Sequence, residues 1–141
     1  MASKNMEFKY ENNVAKCIIH YQNQKFIGEA ICHPDDLDFA SERTGMTIAE
    51  IRALIKVKTF IRDFEIKPQL KILKHFNANI RNSKNYNPTS YEAKMLYSQI
   101  KAIQRELDEI KKEISEDKQF LKEYINGKDK VYKKLRQARS N

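Results

Sequence analysis

Between residues 76 and 97 the chain collects side chains suited to an anionic, ring-bearing ligand: Phe76, Arg81, Lys84, Tyr86, Asn87, Tyr91, Lys94 and Tyr97. A guanidinium can fork onto a phosphate or stack on a ring. Stacking a base on an aromatic ring contributes about 1–3 kcal/mol, and an Asn amide can read base edges or ribose hydroxyls. Arg105 after this stretch enlarges the cationic set, while Arg52, Lys56 and Arg62 on the preceding helix could reach in from another copy of the chain. The candidate ligand-binding residues are therefore Phe76, Arg81, Lys84, Tyr86, Asn87, Tyr91, Lys94, Arg62 and Arg105. The competing reading is that Tyr91 and Tyr97 pack, Asn85 and Asn87 form turns, and the cations are simply solvated.

Catalytic chemistry finds no comparable support. The chain has no Gly-rich phosphate loop, no paired Cys-x-x-Cys, no His-Glu-x-x-His and no Ser or Cys in a recognisable nucleophile context. Its carboxylates are spread along helix faces, where they can pair with lysines. Cys32, His33, Asp35 and Asp36 are close in sequence, but their spacing matches no zinc pattern, and a turn with helix-capping aspartates is the simpler reading. His75, beside Lys74 and Phe76, reads as a surface or interface histidine. We therefore expect no catalytic residue, no metal and no cofactor in a protein that is not an enzyme.

The charge supports an anionic partner. The net charge is +8, and it is unevenly placed: residues 1–46 carry −2 and the remainder +10, with 12 cations against 4 carboxylates between residues 47 and 105. Such a field implies a nucleotide, a nucleic acid or an acidic surface, unless it serves solubility alone. No apolar run approaches the roughly 20 residues needed to cross a bilayer, and no hydrophobic secretory segment follows Met1. A hairpin could bring Cys17 and Cys32 near each other, but free thiols in a reducing cytoplasm are the expected state.

Several elements must position these groups. At 141 residues, with three Gly and three Pro, the chain suits one domain built on long helices. Residues 6–32 read as strands, "FKY", "VAKCIIHY" and "KFIGEAIC", joined by turn residues in "ENN" and "QNQ". In the third strand Phe26, Gly28, Ala30 and Cys32 share one face, and Lys25, Ile27, Glu29 and Ile31 the other. After "HPDD", a short turn around "LDFASER" leads to a capping box at Thr47 and Glu50. Leu54, Val57, Ile61 and Phe64 form the next apolar stripe, with Ile51 and Ile55 beside it. Pro68 bends or splits this helix, and the spacing resumes at Ile66, Leu70, Leu73 and Ile80.

The last helix starts near Thr89 or Ser90. Its apolar seam runs through Leu96, Ile100, Ile103, Leu107, Ile110, Ile114, Leu121, Tyr124, Val131 and Leu135, broken by Asp117 and Lys128. That is the 3.5-residue repeat of a coiled coil. Such a helix, roughly 70 Å long, carries more apolar edge than one preceding helix can cover, so at least a homodimer is expected. The predicted fold is α+β. It comprises a β-meander and capping turn over 1–46, a Pro-kinked helix over 47–82, a connection over 83–90 and a coiled-coil-like helix over 91–138.

The segments "KFIGEAICHPDDLDFASERTGMTIAEIRALIK", "IRDFEIKPQLKILKHF" and "RNSKNYNPTSYE", followed by a long charged helix, resemble the Thoeris anti-defence family, small phage-encoded signal sponges. The resemblance spans nearly the whole chain. It implies an N-terminal antiparallel sheet and two long helices that dimerise, with dimers assembling up to hexamers in the host-cell cytoplasm. It also implies capture, without cleavage, of cyclic ADP-ribose isomers made by host TIR-domain enzymes, and in some members of cyclic oligonucleotides at separate sites. The family's ligand residues do not transfer by position, so the site named above rests on chemistry alone. The alternatives are a basic nucleic-acid-binding oligomer and a coiled-coil scaffold.

Overall fold

The computed structural model describes residues 5–31 and 42–140. The expectations for Cys32, His33, Asp35, Asp36 and a turn over residues 37–41 lie outside these. The chain divides into two compact units, one running up to Lys58 and resuming at Ile114, the other Thr59–Glu113. The layout is α+β, as expected: an antiparallel sheet followed by helices.

In the first unit, β1 (Asn5–Glu11), β2 (Val14–Tyr21) and β3 (Gln24–Ile31) form a meander in the order β1-β2-β3. Both hairpins close with two-residue loops, Asn12-Asn13 and Gln22-Asn23, and all four residues have positive φ between 52° and 63°. This is the left-handed conformation that a tight hairpin needs to match strand twist, and Asn tolerates it best among residues bearing a Cβ. The register pairs Ala15 with Ala30, Cys17 with Gly28 and Ile19 with Phe26, which puts the small and apolar residues on one face. The expected alternation of β3 holds, with Gly28 and Ala30 buried and Ile27, Glu29 and Ile31 exposed.

Helix α1 (Glu42–Phe60) lies on that face. It begins at least five residues before Thr47, so the expected capping box does not form. The Thr47 hydroxyl instead donates to Arg43 O at 2.9 Å, back-bonding inside the helix. The buried stripe keeps Val57 but otherwise differs from expectation: Thr44, Ala49 and Ala53 are buried with it, while Ile51, Leu54 and Ile55 are only half-buried. The reason is steric. A Cβ on Gly28 would meet Ala49 O and, at 2.5 Å, Ala53 N, so helix backbone rests directly against strand backbone. Only small side chains fit such a contact, and the larger aliphatic residues are displaced to its flanks. At Gly45 an added Cβ would stand 3.1 Å from Ala15 Cβ, and the same stripe continues there. Met6 and Phe8, on the same face of β1, remain exposed.

The split expected at Pro68 takes a particular form. Residues Ile61–Ile66 make a π-helical turn, in which the Lys67 amide donates to Arg62 O, five residues back. Helix α2 (Lys67–Arg81) then starts with Pro68 in its first turn, the part of a helix that best tolerates a missing amide. The π-turn adds one residue to the helical count, so the buried positions step from Val57 to Ile66 and Leu70. Phe64, expected on the buried stripe, is thereby turned out and is 69% exposed, stacked on Phe60 with ring centroids 5.1 Å apart.

Helix α3 (Tyr91–Ser140) is capped by Ser90, whose Oγ accepts from the Ala93 amide at 3.2 Å. Along its seam Leu107, Ile110 and Ile114 are buried within a single chain. Both polar breaks are met. Asp117 accepts from Lys58 Nζ at 2.6 Å, and Lys128 Nζ sits 5.5 Å over the Tyr124 ring. Val131 and Leu135 are exposed. No helix among the described residues is long and apolar enough to cross a membrane.

Gly28→Ala is expected to cost about 3 kcal/mol or more, because neither backbone can retreat without breaking its own hydrogen bonds. For a chain of this size that lowers the melting temperature by about 10 °C, readable by calorimetry. Burial, reinforced by the Glu50 charge, pushes the Cys17 thiol up to about 11. At pH 8 only about one such thiol in a thousand is ionised. In a Cys32→Ser background, Cys17 is therefore expected to resist Ellman's reagent in the native state and to react promptly in guanidinium.

A candidate anionic-ligand surface

The second unit carries the residues singled out above. Phe76 and Arg81 lie on the last two turns of α2, Lys84, Tyr86 and Asn87 on the connection, and Tyr91 and Lys94 on the first turn of α3. The connection is a run of tight turns: the Tyr86 amide donates to Ser83 O at 3.2 Å and the Ser90 amide to Asn87 O at 3.1 Å. The side-chain oxygen of Asn87 accepts from both the amide (3.0 Å) and the hydroxyl (2.7 Å) of Thr89. Asn87 is thus a turn former, as the competing reading had it, and its carbonyl oxygen is committed. Tyr86 is half-buried.

Phe76 is 59% exposed and Tyr91 72% exposed, and each has an exposed aliphatic companion one helical turn away, Ile72 on α2 and Met95 on α3. Residues four apart share a helix face, so each helix presents an apolar pair to solvent near the connection. Spacing alone did not single out Ile72 or Met95. Arg81, Lys84 and Lys94 are exposed, and among the described residues no ion pair joins any of them to a carboxylate. Further along α3, Lys101 Nζ lies 4.8 Å over the Tyr97 ring, which is already served by its own chain.

Two predicted residues stand apart. Arg62 belongs to the π-turn, roughly 28 Å along the helix from Arg81 at 1.5 Å per residue. Its guanidinium is forked onto the neighbouring carboxylate, Nε to Asp63 Oδ1 at 2.8 Å and the second nitrogen to Oδ2 at 3.2 Å. Lys67 Nζ adds a third contact at 3.3 Å. The Arg62 hydrogen bonds, with Lys67 assisting, hold the Asp63 carboxyl down at about 2, so the pair is ionised throughout the physiological range. Asp63 escaped the sequence reading although its positions relative to Arg62 and Lys67, one and four residues apart, carry the signal. Arg105 is exposed on α3, about 16 Å along the helix from Lys94. The end of α2, the connection and the start of α3 therefore carry Phe76, Arg81, Lys84, Tyr86, Asn87, Tyr91 and Lys94, while Arg62 and Arg105 lie farther along their helices.

Arg52 and Lys56, expected to serve a neighbouring copy, are engaged within the first unit. Arg52 Nη1 donates to Glu29 O and Lys56 Nζ to Ile27 O, each at 2.6 Å. Among the described residues no group of three His, Cys, Asp or Glu side chains is placed to hold a metal ion. Compared with known protein families, with curated proteins and with solved structures, the chain matches none.

Proposed function

We propose that this protein binds small anionic nucleotide signals of the cyclic ADP-ribose type and sequesters them without cleavage, acting as a phage counter-defence protein in the host-cell cytoplasm. The observation that carries the reading is the exposure, on the end of α2, the connection and the start of α3, of the rings Phe76 and Tyr91 and of the cations Arg81, Lys84 and Lys94, which form no ion pair among the described residues. Rings left in water cost hydration free energy that a stacked base recovers, and un-neutralised cations favour phosphate over solvent. The resemblance of the sequence to the Thoeris sponge family supports the same ligand class.

A second copy of the chain completes the proposal. The apolar seam of α3 continues past its buried section into Val131 and Leu135, 50% and 41% exposed, on the same 3.5-residue repeat. A repeat that persists into exposed residues suits a homodimer, from which larger assemblies such as hexamers follow.

Purified protein incubated with cyclic ADP-ribose isomers is expected to deplete them, and heating is expected to release them unmodified. Arg81→Ala combined with Lys84→Ala is expected to lower affinity at least tenfold. Degraded ligand points to an enzyme, and absence of depletion ends the proposal. Affinity falling steeply and linearly on a log–log plot against salt identifies a nucleic-acid binder instead.

For the assembly, the wild type is expected to sediment as a dimer or larger, and Val131→Glu with Leu135→Glu to sediment as a lighter species with unchanged helicity. A wild-type protein that sediments as a folded single chain at micromolar concentration removes the second copy from the argument.

A further inference from the structure

The edge of the sheet in the first unit holds a feature that the nucleotide reading does not use. An open cavity of ≈ 620 Å³ is lined by Ile27, Gly28 and Glu29 of β3 and by Arg52, Ile55 and Lys56 of α1. β3 is an edge strand, and in an antiparallel strand the amide and carbonyl of one residue point to the same side. The carbonyls of Ile27 and Glu29 are turned away from β2, and Arg52 and Lys56 take one each.

These acceptors are neutral. They hold the two cations in place without cancelling their charge, and both side chains retain uncommitted N–H donors. Elsewhere in this unit Lys58 is neutralised by Asp117 and Lys16 faces Glu29 at 3.7 Å, whereas among the described residues no carboxylate forms an ion pair with Arg52 or Lys56. Glu29 is the one carboxylate in the lining, and its contact with Lys16 offsets its repulsion. Spaced four apart, Arg52 and Lys56 stand on one helix face, with Ile27 and Ile55 beside them as aliphatic walls.

We infer that this groove is a second anion site, which takes the phosphomonoester group of a small organic molecule. Two fixed positive charges match the dianion of a monoester, while a diester carries one charge per phosphorus. The isoleucines accept the apolar part of the ligand, and the cavity lies in the size range of small-molecule sites. The proposal stands apart from the surface around Phe76 and Tyr91. Capping an exposed strand edge against further strand addition explains why the cations are held there, and the same hold pre-organises them for an anion.

The test is calorimetric titration of the folded wild type with phenyl phosphate, inorganic phosphate and dimethyl phosphate. Phenyl phosphate is expected to saturate one site per chain, more tightly than inorganic phosphate and at least tenfold more tightly than dimethyl phosphate. Arg52→Gln and Lys56→Gln are each expected to weaken it at least tenfold, and Lys71→Gln with Lys74→Gln, on exposed α2, to leave it unchanged. Ile55→Glu keeps both cations and their carbonyl bonds but adds a carboxylate to the wall. It is expected to abolish binding, and it serves should the cation variants lose their fold by circular dichroism. Saturating phenyl phosphate is expected to leave uptake of cyclic ADP-ribose unchanged, which separates failure of one site from failure of the other. Absence of saturation in the wild type, an equal loss in the α2 control, or dimethyl phosphate binding as tightly as the monoester overturns the site and leaves Arg52 and Lys56 as an edge cap alone.

Discussion

In the first unit backbone meets backbone where α1 crosses β3 at Gly28, with Ala49 and Ala53 directly above it. Much of the unit follows from that approach. A helix so near a sheet must present small residues, and Gly45, Ala49 and Ala53 supply them at four-residue spacing, opposite Ala15, Gly28 and Ala30. The same proximity seals Cys17 beneath the helix, where its thiol is kept protonated. It also brings the next face of the helix within hydrogen-bonding distance of the strand edge, so Arg52 and Lys56 reach carbonyls that would otherwise face solvent. An α1 seated farther from the sheet on large side chains would leave both cations swinging free.

The second unit is organised by a different constraint, the missing amide of Pro68. The helix accommodates it by widening into a π-turn before the proline, and the extra residue rotates everything that follows by about 100° relative to an uninterrupted helix. In the turn and the helix after it Ile66 and Leu70 are buried and Phe64 is not. Within the turn the side chains of Arg62 and Asp63 close on each other, which removes Arg62 from the pool of cations open to a ligand. The cations that remain open, Arg81, Lys84 and Lys94, lie around a connection whose own turns are satisfied by Ser83, Asn87 and Ser90. Polar side chains hold the loop, and charged and ring-bearing ones project from it.

Helix α3 carries a coiled-coil pattern of which only part is buried within the chain. Where the repeat meets its own chain the residues are buried, and each polar interruption has a designated partner, Lys58 for Asp117 and the Tyr124 ring for Lys128. Such interruptions cost stability in a uniform seam, but the Asp117–Lys58 pair favours one register of α3 against α1, whereas Lys128 is served within its own helix. Past Lys128 the seam residues Val131 and Leu135 are exposed.

Much of this was legible in the primary structure. Alternation and turn residues located the three strands, and the Asn-rich loops announced tight hairpins, because left-handed backbone selects residue types locally. Thr89 and Ser90 marked the start of α3, and the 3.5-residue repeat marked its seam. The basic and aromatic composition of residues 76–97 was equally plain, since composition needs no neighbours to be read. What the chain's order could not convey is which face of α1 is buried. Hydrophobicity ranked Leu54 and Ile55 above Ala49 and Ala53, and only the presence of Gly28 beneath them reverses that ranking. Nor does spacing reveal that Arg62 is spent on Asp63 while Arg81 is not, or that Arg52 and Lys56 end on strand carbonyls. Local backbone preference and periodicity act over a few residues and are written in order. The distance between two elements is set by the smallest side chains of both, and it exists only once they have met.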